Sequence, residues 1–191
     1  MHGLGNDFVI FDARERSLPL TADMVRRLSH RQTGIGCDQL IVMEPSESAD
    51  VFMRIYNADG SEVSACGNAT RCVASLVGSE AVEIQTKVGV LKASLNDGTA
   101  TVDMGTPRFG WDEIPLSMPM DTLSMPVGWE LLGAPSAVNV GNPHVIFFVE
   151  NTDKVDLGRL GPLIERDPLF PERVNVNVAQ VLARNEIRLR V

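Results

Sequence analysis

The chain has 191 residues, 44% of them hydrophobic, 22% charged and 5% aromatic, with a formal net charge of −8. That is room for one large domain or two small ones built on an aliphatic core. An acidic chain with no basic run is a poor match for nucleic acid or an anionic membrane. No apolar run reaches spanning length, and the start does not resemble a signal peptide. Three cysteines, an odd count, argue against a disulfide framework and for a reducing cytoplasm.

Residues 8–12 (Phe-Val-Ile-Phe-Asp) are a short apolar run that reads as a buried strand. Residues 21–30 open on Thr21, a good N-cap, and place Met24, Val25 and Leu28 on one face, which predicts an amphipathic helix. Residues 40–43 and 51–56 read as strands, and 69–77 as a helix. Residues 82–86, 90–95 and 99–104 read as a meander, with Asn96-Asp97-Gly98 turning the last hairpin. Residues 105–135 hold Pro107, Pro115, Pro119, Pro126 and Pro135, and a connection there divides the chain into residues 1–110 and 111–191. Beyond it, residues 138–149 are strand-like around Gly141-Asn142-Pro143-His144. Residues 157–164 suit a short helix, and 174–181 and 187–191 suit strands.

The most informative stretch is 57–74, Asn-Ala-Asp-Gly-Ser-Glu-Val-Ser-Ala-Cys-Gly-Asn-Ala-Thr-Arg-Cys-Val-Ala. It sets Cys66 on a polar turn just before a helix. Free helix amides and the positive dipole end favour an anion there, which predicts a lowered thiol pKa and a place for a substrate carboxylate. Cys72, six residues later beside Val73 and Leu76, reads as core, and Cys37 as packing. No cysteine or histidine pair has metal-ligand spacing, and there is no phosphate loop or GxGxxG, so neither metal nor nucleotide is expected. Asn6, Asn57, Asn68, Asn142 and Asn175 sit at turns or strand ends. Together they suggest a neutral pocket for a zwitterionic amino acid. His144 follows Pro143 in a turn before a strand, and is either a structural histidine or part of that site.

Two segments repeat. Gly5-Asn6-Asp7-Phe8-Val9-Ile10-Phe11 and Gly141-Asn142-Pro143-His144-Val145-Ile146-Phe147 agree at five of seven positions, an offset of 136 residues. The offset projects a counterpart of Cys66 to about position 202, past Val191.

Met1-His2-Gly3-Leu4-Gly5-Asn6-Asp7-Phe8, Gly34-Ile35-Gly36-Cys37-Asp38-Gln39, the 57–74 block, Gly141-Asn142-Pro143-His144 and Arg173-Val174-Asn175 together resemble the diaminopimelate epimerase family. The resemblance implies an α/β fold of two pseudo-symmetric halves, each a curved, mostly antiparallel sheet wrapped around a central helix, with the second half incomplete here. It implies a cofactor-independent, pyridoxal-free isomerase that interconverts LL- and meso-diaminopimelate for lysine and peptidoglycan precursors. One cysteine from each half would serve as base or acid. By the same resemblance Cys66 is the first catalytic cysteine. Asn6, Gln39, Asn57, Gly67, Asn68, Asn142 and Asn175 bind substrate, His144 tunes the cysteines, and the enzyme is cytoplasmic and forms dimers in some members.

The chain departs from the family pattern in several places. The second cysteine segment and its glutamate and arginine contacts are absent, residues 75–82 are short, the few residues before the Met-His-Gly are missing, and Ala69 stands where glycine is common. These departures suit a piece of a longer protein, which by itself is expected to be inactive. Three other readings are a proline-racemase type of enzyme, a noncatalytic amino-acid-binding module and a thiol redox protein.

Overall fold

The computed structural model describes residues 1–191. The chain forms two compact units, Met1–Gly105 and Thr106–Val191.

Unit 1 contains β1 (His2–Gly3), β2 (Asn6–Asp12), α1 (Ala22–Ser29), β3 (Gln39–Glu44), β4 (Val51–Asn57), β5 (Glu62–Val63), α2 (Gly67–Val77), β6 (Ala81–Thr86), β7 (Gly89–Asn96) and β8 (Thr99–Asp103). They build one eight-stranded sheet in the order β1-β2-β3-β4-β6-β7-β8, with β5 on β4. Only β2–β3 and β4–β6 are parallel. β3 is a continuous apolar run because both of its faces are buried. Ile41 and Met43 join Phe8, Met53 and Ile55 under Ala69, Cys72 and Val73 of α2. Leu40 and Val42 join Val25 of α1 on the other side.

Local signals set the boundaries. The Thr21 hydroxyl accepts from the Met24 amide at 3.3 Å and starts α1. Gly78, left-handed at φ 79°, ends α2. Asp97 (φ 49°) and Gly98 (φ 76°) both take positive φ, as the tight turn between β7 and β8 requires. Two apolar residues depart from expectation: Met24 on α1 and Leu76 on α2 are 41% and 48% exposed, so neither helix buries them. Both helices have their buried stripe on neighbouring residues, Val25 for α1 and Cys72, Val73 and Ala74 for α2.

Unit 2 contains β9 (Gly128–Trp129), β10 (Leu132–Gly133), β11 (Ser136–Asn139), β12 (Pro143–Phe148), a short 3₁₀ turn (Thr152–Lys154), α3 (Leu157–Glu165), β13 (Asn175–Ala183) and β14 (Glu186–Arg190). β9 and β10 pair as a hairpin, and the other strands form a sheet in the order β11-β12-β13-β14. The β9–β10 hairpin was not legible in the sequence, because each strand has only two residues. α3 buries Leu157, Leu160 and Ile164 against Val145, Phe147, Val176 and Val178. Phe147 also meets Trp129 edge-on at 5.9 Å.

Candidate active site

In unit 1 the strand polarity gathers the expected site residues at one sheet end. β2 and β3 start there and the antiparallel β4 finishes there, so Asn6, Gln39 and Asn57 share that end. Gln39 lies opposite both Phe8 and Asn57. α2 begins beside them.

The Gln39 Nε2 donates to Asn57 Oδ1 at 3.0 Å, and Asn57 Nδ2 donates to Ser61 Oγ at 3.2 Å. Asn57 thereby holds Gln39. The other end of that amide, Gln39 Oε1, is buried and has no partner. A buried acceptor left unpaired costs about 1–3 kcal/mol, which a donor on a bound ligand would recover.

Helix α2 starts at Gly67, two residues before the predicted start at Ala69, because Cys66 itself is the N-cap. Its backbone is extended (φ −152°, ψ 106°), and its carbonyl accepts from the Thr70 amide at 2.9 Å. The Asn6 Nδ2 points at Cys66 Sγ, 3.9 Å away. Asn68 Oδ1 accepts from Arg71, which leaves its NH2 free of that contact. Gly3 of β1 runs close to Asn68, where a Cβ on Gly3 would sit 3.0 Å from that of Asn68.

The thiol pKa corrects the sequence reading. Burial pushes the Cys66 thiol up; the Ala69 and Asn68 amides and the Arg71 charge pull down but do not win. A helix N-terminus contributes about 0.3–1 kcal/mol to an exposed anion, whereas burial of a titratable group can move it by several pKa units. Peptide-resolved alkylation of Cys66 by iodoacetamide should therefore rise through a midpoint above the ordinary thiol value of about 8.5. A midpoint near 7 would show that the dipole outweighs burial.

A clasp absent from the sequence reading sets the ends of β2 and β3. The Asp38 amide donates to Asp7 Oδ1 at 2.9 Å, and the Asp7 amide donates to Asp38 Oδ2 at 3.0 Å. Arg31 bonds both carboxylates, Asp7 in bidentate fashion. The Arg31 guanidinium, with help from Asp38, holds the Asp7 carboxyl far below the usual range. Asp7 follows Asn6 and Asp38 precedes Gln39, so the clasp sets the spacing of two site residues. Acidic residues immediately beside two motif residues were the available signal.

In unit 2, Asn142, His144 and Asn175 come together. His144 is not in the turn before the strand, as the sequence suggested. It is the second residue of β12, opposite Val138 and Asn175. Asn139 and Val138 of β11, with Asn175 of β13 opposite His144, draw Pro143 and His144 into the sheet. His144 Nε2 lies 3.1 Å from Asn142 Oδ1, and Asn175 Nδ2 donates to the Pro143 carbonyl at 3.0 Å. Burial pushes the His144 imidazole down, towards the neutral form. The sequence reading missed Asn177, whose Nδ2 is 3.2 Å from His144 Nδ1. Its signal was the period-two spacing Asn175-Val176-Asn177, which puts both amides on one face of a strand.

The pattern that defines the diaminopimelate epimerase family matches residues 1–110 and 136–191. The chain belongs to the diaminopimelate epimerase family.

Individual relatives agree. The chain is 62% identical to a diaminopimelate epimerase of Rhizorhabdus wittichii, covering 100% of this chain and 70% of that protein. It is 60% identical to one from Sphingopyxis alaskensis, covering 100% and 71%. Among solved structures, a hydroxyproline epimerase from Agrobacterium vitis superposes with a TM-score of 0.64 at 14% identity, over 98% of this chain and 67% of that one. A PhzF-family phenazine biosynthesis protein from Bacillus anthracis gives 0.57 at 20% identity, over 100% and 67%. At such identities the likeness concerns the fold: an α/β architecture with a curled, mostly antiparallel sheet and few helices. Membership of the diaminopimelate epimerase family makes the chain an isomerase of amino-acid biosynthesis. No helix is long and apolar enough to cross a membrane.

Proposed function

We propose that the protein interconverts LL- and meso-diaminopimelate without a cofactor, using Cys66 as one of two opposed thiol groups. The observation that carries the reading is the end of unit 1's sheet. Cys66 caps α2 with Asn6 at its sulfur, and the buried, unpartnered Gln39 Oε1 lies at the same sheet end.

The Cys66 thiolate takes the α-proton, and the electron pair remains on the α-carbon, delocalised into the substrate carboxylate. The first amides of α2, at Gly67 and Asn68, are suited to that carboxylate as its charge grows. A thiol on the opposite face then returns a proton, so the two sulfurs exchange protonation states. Inversion needs an acid and a base on opposite faces, which one cysteine does not supply. The second would come from the repeat's equivalent of the Cys66 turn, near position 202. The raised thiol pKa makes the thiolate scarcer but a stronger base, which suits a weak carbon acid.

Gln39 Oε1 is an acceptor for a substrate ammonium, held by Asn57. Asn142 and Asn175 supply the corresponding polar groups of unit 2, with His144 tuning the thiol acidity. The two halves are proposed as residues 1–110, carrying Cys66, and residues 111–191. Lysine and peptidoglycan synthesis are the proposed uses of the product, in the cytoplasm, with a homodimer as the proposed assembly.

The test is incubation of LL-diaminopimelate with the full-length protein in heavy water. Deuterium should enter the α-position with formation of the meso isomer, and no pyridoxal phosphate should be required. A full-length protein that incorporates no deuterium would sink the reading.

A further inference from the structure

The two units share strand register as well as a motif. Phe8 opposite Gln39 in β2–β3 recurs as His144 opposite Asn175 in β12–β13, both at the 136-residue offset. Val42 opposite Arg54 recurs as Val178 opposite Arg190, and Met43 opposite Met53 as Ala179 opposite Leu189. On this equivalence the apolar pair Phe8 and Ile41, both buried beneath α2, corresponds to His144 and Asn177. The architecture therefore accepts a wholly apolar pair at these positions. Placing an imidazole and an amide there costs desolvation that packing does not require.

The hydrogen bonds define what the amide does. Asn177 is 2% exposed. Its Nδ2 lies 3.1 Å from the Val145 carbonyl oxygen and 2.9 Å from that of Asn175. Carbonyls only accept, so the group facing them is the NH2 and not the amide oxygen. The same NH2 faces His144 Nδ1 at 3.2 Å, so its two N–H groups are shared among three acceptors. An amide NH2 cannot accept a proton, so Nδ1 carries none. The neutral ring is then protonated at Nε2 and donates to Asn142 Oδ1 at 3.1 Å. An acceptor opposite Nδ1 would instead favour the imidazolium.

We propose that Asn177 is a positioning residue: its NH2 locks His144 as the Nε2-protonated neutral imidazole, which fixes the Asn142 carbonyl oxygen and leaves the Asn142 NH2 free to donate to a substrate carboxylate. The role in turnover rests on the proposed function; the tautomer does not.

The test is ¹⁵N NMR of the imidazoles in the full-length protein at neutral pH, with His144 assigned by loss of its signals in His144→Gln. An unprotonated Nδ1 and a protonated Nε2 are expected. Protonation at Nδ1 in the unmutated protein overturns the proposal. Asn177→Asp, which places an acceptor at Nδ1, should move a proton onto that nitrogen. It should also lower the exchange rate roughly 10- to 100-fold, the range for loss of an orienting partner. An unchanged tautomer or an unchanged rate overturns it.

Should that variant fail to fold, the double variant His144→Phe, Asn177→Ile reproduces the unit 1 pair. It should melt at or above the unmutated protein's midpoint and lose exchange at least as severely. A double variant that unfolds shows the pair to be structural and overturns the proposal. If the unmutated protein shows no exchange, the proposed function fails while the tautomer result stands on its own.

Discussion

Cys66→Ser in the full-length protein should reduce α-proton exchange of diaminopimelate by roughly 10²- to 10⁴-fold, the usual contribution of a positioned acid–base group. At 1.36 kcal/mol per decade, that is about 3–5 kcal/mol of transition-state stabilisation. The hydroxyl is far less acidic than the thiol, so no comparable base forms at any working pH. Folding should survive, because the cap hydrogen bond at Cys66 comes from its backbone carbonyl and α2 has no side-chain cap to lose. The side chain keeps its place against the core beneath α2 and beside the first helix amides, and its one side-chain partner is the distant Asn6, at 3.9 Å. The check is exchange in heavy water beside a thermal melt. A Cys66→Ser protein that melts normally and still exchanges at the original rate would remove Cys66 from the chemistry. Cys72→Ser offers the contrast: Cys72 Sγ reaches only the His2 carbonyl, at 3.8 Å, so exchange should persist.

Gly34→Ala should destabilise the chain by about 3 kcal/mol or more, at the upper end of the cost of overpacking. A Cβ at Gly34 would lie 2.1 Å from the Arg27 carbonyl oxygen and 2.6 Å from that of Leu28. Both are backbone atoms and have no rotamer to yield. The loop is drawn against the end of α1 by its own hydrogen bonds: the Gly34 amide to His30 at 2.8 Å and the Ile35 and Gly36 amides to Leu28 at 2.9 and 3.0 Å. For a chain of this size each kcal/mol moves the midpoint by roughly 2–4 °C, so a fall of about 6–12 °C is expected. Gly98→Asn is the control, since Gly98 has φ 76° with nothing near its missing Cβ, and asparagine tolerates that region. A Gly34→Ala melt that matches the control would mean that the loop rearranges freely. Substrate affinity should fall too, because the loop leads into Asp38 and Gln39.

Much of the candidate site was legible because short motifs carry their own local structure. The polar turn before an apolar helical run located the start of α2 to within two residues, and Asn-Asp-Gly predicted the β7–β8 turn. The repeated Gly-Asn segment marked two strands whose registers then agreed at the same offset. The family's motif positions pointed to Cys66, Asn6, Gln39 and Asn57, and the structure gathers them at one sheet end.

What stayed hidden depends on partners distant in sequence. Whether Cys66 is acidic or basic is a contest between helix amides, which are local, and burial, which comes from the sheet packed behind it. Sequence reasoning weighed only the first. That Asn57 also holds Gln39 became visible only when β3 and β4 placed the two opposite each other. The Arg31–Asp7–Asp38 clasp joins residues up to 31 positions apart. His144 read as a turn residue until β13 paired with it.

The sequence by itself determined the family, the candidate catalytic turn, most elements and the internal repeat, because those reside in contiguous residues and their spacing. Only the tertiary structure decided the direction in which the thiol's pKa moves, the unsatisfied Gln39 oxygen and the partners of Asn177. Dielectric, hydrogen-bond satisfaction and tautomer are properties of what surrounds a group, and the surroundings are assembled by strands that meet only in the folded chain.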